Sequence, residues 1–217
     1  MAGDWLMAHS HGDAGVFHST NPFPRRSATF HTVERPTLAL GSAQPDRDVD
    51  ERVARALRVD VVRRRSGGGA VLLIPGEFLW LDLVLPADDA LWLADVAQAM
   101  VWVGELWQRA LAASGVAGEV HREGLITTPW SRQVCFAGVG TGEVMAGGSK
   151  LVGISQRRTR EFARFQSMCH LRWRPELAAA LVAAPRPSAA MLAAVTRPVG
   201  VDGDVLSASL QAVLPTL

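Results

Sequence analysis

Apolar positions in this chain recur at two different spacings, and the changes between them divide it into strands and helices. Thr37-Leu38-Ala39-Leu40 is a short apolar run closed by Gly41, and Val59-Asp60-Val61-Val62 alternates with the period of two expected of a strand. Phe78 to Leu85 is almost wholly apolar, which predicts a strand covered on both faces. Between them, Asp46 to Leu57 sets Val49, Val53, Ala54 and Leu57 at helical spacing, with acidic residues early, where the helix dipole favours them. A long helix is predicted from about Leu91 to Ser114, with Gly115 as its stop and with Trp92, Trp102 and Trp107 as core residues rather than a ligand box.

Further strands are expected over Val120 to Ile126, Gln133 to Ala137, Lys150 to Arg157 and Phe165 to Trp173, with a turn edge at Glu143 to Met145. Ala-rich helices are expected over 175–184 and 187–195, and another over 205–214. Residues 1–36 are rich in His, Pro, Ser and Arg without periodicity, which predicts an irregular lead-in with one short helix at most. The organisation expected is this lead-in, a core over 37–184 and a helical tail over 185–217, packed as a single domain.

Composition narrows the class. The chain has 217 residues, 48% of them hydrophobic, enough to bury a substantial core, and its formal net charge is +1. That balance argues against nucleic acid or an anionic membrane as a partner. The first residues lack the basic and apolar stretches of a signal peptide, and the apolar run from Ala70 to Pro86 is broken by Pro75, Glu77 and Asp82. Two cysteines, Cys135 and Cys169, make no disulfide framework, so a cytoplasmic setting with free thiols is expected.

Three features can carry chemistry. Gly67-Gly68-Gly69 follows a basic segment and removes three Cβ atoms in a row, so backbone amides can approach an anion or polar head closely. It has neither the Lys-Ser/Thr of a phosphate-binding Walker loop nor the spacing of a dinucleotide fingerprint. In the preceding Arg63-Arg64-Arg65, extended geometry turns Arg64 away from its two neighbours. Lys150 is the one lysine beside 21 arginines, set between glycines and near Ser155. A compact ammonium can sit among several oxygens where a guanidinium needs a fork-shaped partner. Codon bias toward arginine also accounts for a solitary lysine.

Arg63-Arg64-Arg65-Ser66-Gly67-Gly68-Gly69-Ala70-Val71 resembles the Arg-Arg-x-Ser-Gly-Gly-Gly-Ala-Val signature of the lipoate-protein ligase A and octanoyltransferase family. Lys150-Leu151-Val152-Gly153-Ile154-Ser155-Gln156 is similar to its second segment, an apolar-flanked Lys-Gly-Ala/Ser-Gln run. The resemblance covers about Arg35 to Arg174. It implies an α+β fold, a mixed, largely antiparallel sheet flanked by helices, as in the catalytic domains of biotin- and lipoate-protein ligases. It implies attachment of lipoyl or octanoyl groups to a lysine of a lipoyl-carrier domain, such as the glycine cleavage H protein or a 2-oxoacid dehydrogenase E2.

By resemblance, Arg64, Ser66, Gly67, Gly68, Gly69, Ala70, Val71 and the downstream Gly76 would line the acyl and nucleotide site, joined by Gly153 and Ser155. Lys150 would contact the acyl carbonyl and the phosphate or leaving group, as a fixed cation that stabilises charge developing on oxygen. Glu143, seven positions earlier, resembles the acidic residue of the family's polar loop and could bind a nucleotide or orient the lysine. Two donors are open. A ligase would use ATP and Mg²⁺ to form an acyl-adenylate. A transferase would need no ATP and would carry the acyl group on Cys135, which with Phe136 matches the Cys-Phe pair of cysteine-dependent octanoyltransferases. Val134-Cys135-Phe136 also reads as an ordinary strand with cysteine as a small core residue.

Two departures stand out. Leu72-Leu73-Ile74-Pro75 replaces a histidine-containing turn, and Ser167-Met168 replaces a His-Gly pair. Loss of those polar groups motivates a third reading, a paralogue that binds carrier domains without catalysis. Cys169 and His170 lie close by in sequence, but their strand phase need not return them to the pocket.

Overall fold

In the computed structural model, residues 5–215 are described. Seven strands form the main sheet: β1 (Leu6–Gly12), β2 (Ser27–Val33), β6 (Phe78–Pro86), β10 (Phe162–His170), β9 (Ser149–Arg158), β8 (Val144–Ala146) and β7 (Glu119–Val120), in that spatial order. Only β1 and β2 run parallel; the other neighbours are antiparallel. A second sheet of three strands places β3 (Thr37–Leu40) between β4 (Asp60–Arg63), which is parallel to it, and β5 (Val71–Leu73), which is antiparallel. The expected mixed, largely antiparallel α+β class is therefore what the chain adopts.

Helices cover the outer faces. α3 (Val96–Ala113) and α6 (Gly203–Val213) lie on one side of the main sheet, where Trp107, Leu106 and Leu111 are wholly buried against Leu81, Leu83 and Phe165. Trp107 also donates its indole N–H to Ser167 Oγ at 2.8 Å, so its polar edge is satisfied inside the core. α2 (Glu51–Ala56), α4 (Pro175–Leu181) and α5 (Ala189–Val195) cover the small sheet. Between the two sheets lies a third cluster, including Val71, Leu73, Trp80, Phe136 and Met168, and the site opens beside it.

Several expected elements differ. The lead-in is not irregular: it supplies β1, β2 and α1 (Ala14–Ser19). β1 sits at the sheet edge with no side chain fully buried, and its apolar residues Leu6, Met7 and Ala8 are consecutive, so no apolar period marked it. The expected strand Val120 to Ile126 is reduced to β7, and the rest is loop. Gln133 to Ala137 is not a strand either, since Cys135–Ala137 is a 3₁₀ turn. The helix expected from Asp46 to Leu57 divides into a 3₁₀ turn over Asp46–Asp48 and α2, which Asp50 caps by accepting from Val53 N at 3.0 Å. α3 starts at Val96, not Leu91, because Asp95 caps it by accepting from Gln98 N at 2.8 Å.

Candidate functional site

Lys150 enters the interior near the start of β9. Between the pairs Val144–Val152 and Met145–Lys150, β9 carries one residue more than β8, a bulge of the kind that re-aims a side chain. The lysine is only 1% exposed. Its Nζ lies 2.6 Å from Glu143 Oε2, donates to the carbonyl of Cys135 at 3.1 Å and stands 5.1 Å from the centroid of Phe136. Glu143 in turn accepts from Gly140 N at 2.7 Å and from Ile154 N at 3.2 Å. A buried ion pair needs such extra hydrogen bonds, because desolvation otherwise cancels the Coulomb attraction. Phe136 packs on His170 at 4.6 Å, and His170 on Trp173 at 4.5 Å. Burial, then the Lys150 charge, lowers the His170 pKa to about 3, so this ring is neutral.

Arg64 is the second cation that reaches Cys135. It is buried, its amide is held by Leu40 O at 2.9 Å, and its Nη2 donates to Gly69 O at 2.9 Å and to Cys135 Sγ at 3.6 Å. Among the described residues it pairs with no carboxylate, and its buried Nε finds no acceptor. Its neighbours do turn outward: Arg63 donates to Gly41 O at 2.7 Å and Gln44 O at 2.6 Å, and Arg65 to Asn21 Oδ1.

The glycine loop is shaped by close approaches. A Cβ on Gly69 would stand 2.7 Å from Val134 N, and Gly68 holds φ +96°, a conformation side chains disfavour. Ala70 forms a parallel bridge with Val134, and Cys135 N donates to Ala70 O at 2.9 Å, so the loop and the cysteine turn are one unit. Ser66 Oγ and Ser155 Oγ are bonded at 3.1 Å across to β9. Gly153 packs against Phe136, where a Cβ would come within 3.0 Å.

Two cavities meet here. A narrow apolar pocket is walled by Val71, Leu73, Trp80, Phe136 and Met168, with His18 and Arg64 also in its lining. An open cleft of about 840 Å³ is bounded by Gly67, Gly68, Gly69, Glu143 and Lys150. Cys135, Ile154 and Ser155 line both, so the half-exposed thiol stands at their junction. Gly76 lies apart: it is in the turn closed by Glu77 N and Ile74 O at 2.9 Å, with φ +75°, and lines neither cavity. Cys169 is buried in the core behind the sheet, where burial lifts its thiol pKa to about 12. Motif reading missed Gln44, Arg47 and Arg132 in the cleft and His18 and Gln166 in the pocket, which come from segments with no linear signature.

The model of the lipoyl protein ligase A/B catalytic domain matches residues 15–196. The chain belongs to this family. It is an enzyme of the lipoate-protein ligase and octanoyltransferase type, and its fold is the one solved for several ligases of that type. Lipoate-protein ligase A bound with ATP superposes with a TM-score of 0.74 at 18% identity, over 97% of this chain and 83% of that one. A bi-partite lipoate protein ligase from Thermoplasma acidophilum, studied with its E2 lipoyl domain, gives 0.75 at 15%, over 97% and 82%. T. acidophilum protein Ta0514 with bound lipoic acid gives 0.71 at 17%, over 97% and 82%. No curated protein sequence matches the chain. Among the described residues no helix is long and apolar enough to cross a membrane, and no three His, Cys, Asp or Glu side chains are grouped to hold a metal ion.

Proposed function

We propose that this family member transfers a lipoyl or octanoyl group to a lysine of a lipoyl-carrier domain, with Cys135 as the acyl-bearing nucleophile. The observation that carries this reading is the position of Cys135, half-exposed where the apolar pocket meets the open cleft, with its Sγ 3.6 Å from Arg64 Nη2. An acyl chain lying in the apolar pocket would present its carbonyl at that junction. The Cys135 thiolate adds to the carbonyl carbon, the donor's leaving group departs with its bonding pair, and a thioester remains. The carrier lysine amine then adds from the cleft, its proton passes to solvent, and the C–S bond breaks to leave an amide and the thiolate.

Two cations surround that carbon in different ways. Among the described residues the Arg64 guanidinium has a buried donor without an acceptor and no carboxylate partner, so it can hold the oxyanion of the tetrahedral intermediate. Lys150 fixes the Cys135 backbone through its carbonyl and keeps the third of its three protons for the substrate. Support for lipoyl and octanoyl chains comes from the family and from the lipoic acid bound by the Ta0514 protein.

A second reading is the ATP-dependent ligase. The size of the open cleft, its Gly67–Gly69 border and the ATP held by the lipoate-protein ligase A neighbour favour it. There Gly67, Gly68 and Gly69 would border the acyl phosphate of an adenylate, and Arg64 would meet its carboxyl oxygens. With no grouped side-chain ligands among the described residues, Mg²⁺ would rely on phosphate oxygens.

Incubation with octanoyl thioester or with lipoate and ATP, followed by intact-protein mass spectrometry, separates the two. The transferase reading expects an acyl adduct that is sensitive to hydroxylamine and lost in Cys135→Ser, along with carrier acylation. Full activity of Cys135→Ser with lipoate and ATP would replace it with the ligase.

A further inference from the structure

Asn21, just beyond α1, holds two arginines from distant parts of the chain. Arg65 Nη1 and Arg157 Nη1 both donate to its Oδ1, the second at 2.6 Å. One neutral amide oxygen shared by two guanidiniums leaves their charges uncompensated, and among the described residues neither forms an ion pair with a carboxylate. The nearby Arg164 is different, because Asp82 accepts from its Nε at 2.7 Å deep in the sheet. Arg164 also donates to Phe17 O at 2.8 Å and Thr20 O at 3.1 Å, which fixes the end of α1 and so Asn21. The two outer arginines are thus held in place by a built scaffold. Burial, then Arg65 and Arg164, lowers the pKa of Arg157, as expected for cations brought together without an anion.

The pair stands at the edge of the acyl site. Arg65 follows Arg64 and precedes Ser66, whose hydroxyl is bonded to Ser155 at 3.1 Å. Arg157 lies two residues along β9 from Ser155, hence on the same face and about 7 Å away. A macromolecule that delivers a lysine amine to Cys135 through the open cleft passes Gly67 and Ser155, two residues along the chain from Arg65 and Arg157 respectively.

We infer that Arg65 and Arg157 form an anion-receiving clamp at the site's rim that docks a carboxylate on the surface of the acceptor carrier protein. The inference rests on the acyl-transfer reading. A guanidinium presents two parallel N–H donors that match a carboxylate, and charges at a rim act chiefly on encounter rate and orientation, with a salt dependence. The clamp therefore serves the acceptor and has no part in acyl activation.

The test starts from enzyme charged with octanoyl thioester or supplied with lipoyl-AMP, and compares transfer to a lipoyl-carrier domain with discharge to hydroxylamine. In Arg65→Gln/Arg157→Gln, kcat/KM for the carrier should fall on the order of tenfold at low salt, with KM rising and kcat little changed. Hydroxylamine discharge should stay at the wild-type rate, and the fall in kcat/KM with added NaCl should flatten. Neutralising acidic residues beside the carrier's acceptor lysine should reproduce the loss in wild type and add little in the double variant. Additive losses would show that the anion is not the carrier's. Equal carrier rates in the two enzymes, or competition by millimolar inorganic phosphate that weakens hydroxylamine discharge, would also overturn the clamp. If wild type acylates no carrier from either donor, the acyl-transfer reading fails first and the clamp with it.

Discussion

Lys150 and Arg64 both reach Cys135, one at its carbonyl and the other at its sulfur, and they differ in what neutralises them. Lys150 is paired with Glu143 at 2.6 Å, and the carboxylate is itself held by two backbone amides. Arg64 is also buried, but among the described residues its side chain has only a carbonyl and a thiol as partners, with one donor unmet. The lysine is built into the structure, whereas the arginine is kept short of negative charge. A cation without a counter-ion gains most from charge that appears during reaction, so in the proposed transfer the larger share of oxyanion stabilisation would fall to Arg64. The motif alone points to Lys150 for that role; the Glu143 pair shifts part of it to the arginine.

This difference predicts a loss of stability on one substitution and not on the other. Lys150→Ala should cost about 3–5 kcal/mol of stability, because Glu143 is left buried and unpaired. Chemical denaturation measures it, and acyl transfer should be lost as well. Lys150→Met combined with Glu143→Gln should recover most of the stability and none of the transfer. Arg64→Gln should separate the two effects without a second substitution, lowering the rate of single-turnover acylation about a hundredfold while moving the denaturation midpoint little. Equal stability losses in Lys150→Ala and Arg64→Gln would erase the distinction.

The fold's centre was legible because its strands and helices carry strong periods: β6 reads as a doubly covered strand and is one, and α3 has Gly115 as its stop. The edges were not, since β1 is held by backbone pairing to β2 and needs no apolar pattern. For the site, alternation set Arg64 apart from its two neighbours, and the family resemblance pointed it inward. Cys135 could not be placed by pattern, because Val134-Cys135-Phe136 has strand-like residues yet forms a 3₁₀ turn under the constraint of the Gly69–Val134 approach. The Glu143 pairing depends on a bulge in β9, which no residue type announces. Gly76 shows the converse, a glycine that a motif offers to the site but that φ +75° in a turn explains fully.

Each cation also has a neutral histidine nearby, so pH reads the two sides separately. His170, beside Lys150, has its pKa lowered to about 3, mainly by burial. His18, in the apolar pocket near Arg64, is lowered to about 4, again mainly by burial, with Asp82 opposing. Both folded values lie below the unfolded 6.5, so the unfolded chain binds more protons in between. Stability is therefore complete above pH 6.5 and falls as the pH drops toward 4, by about 1.4 kcal/mol per unit for each histidine. Urea midpoints between pH 7 and 5 should show that slope. His170→Gln and His18→Gln should each remove about half of it. If only one does, the other side of the site is open to water and the symmetry in burial is lost.

The glycines on the Arg64 side give the smallest effects and the finest resolution. A Cβ on Gly69 would meet Val134 N at 2.7 Å and Cys135 N at 2.9 Å, both backbone atoms that cannot step aside alone. Gly69→Ala should therefore cost about 1–3 kcal/mol and displace Cys135 from Arg64, slowing thioester formation more than substrate binding. Gly67 has nothing within 4 Å of the same added atom. Gly67→Ala should lie within about 0.5 kcal/mol of wild type and leave thioester formation intact. In the ligase reading the same methyl would sit where the acyl phosphate approaches the loop, and the KM for ATP would rise. A change confined to ATP kinetics in Gly67→Ala would move the site's anion-binding duty from the arginine to the loop.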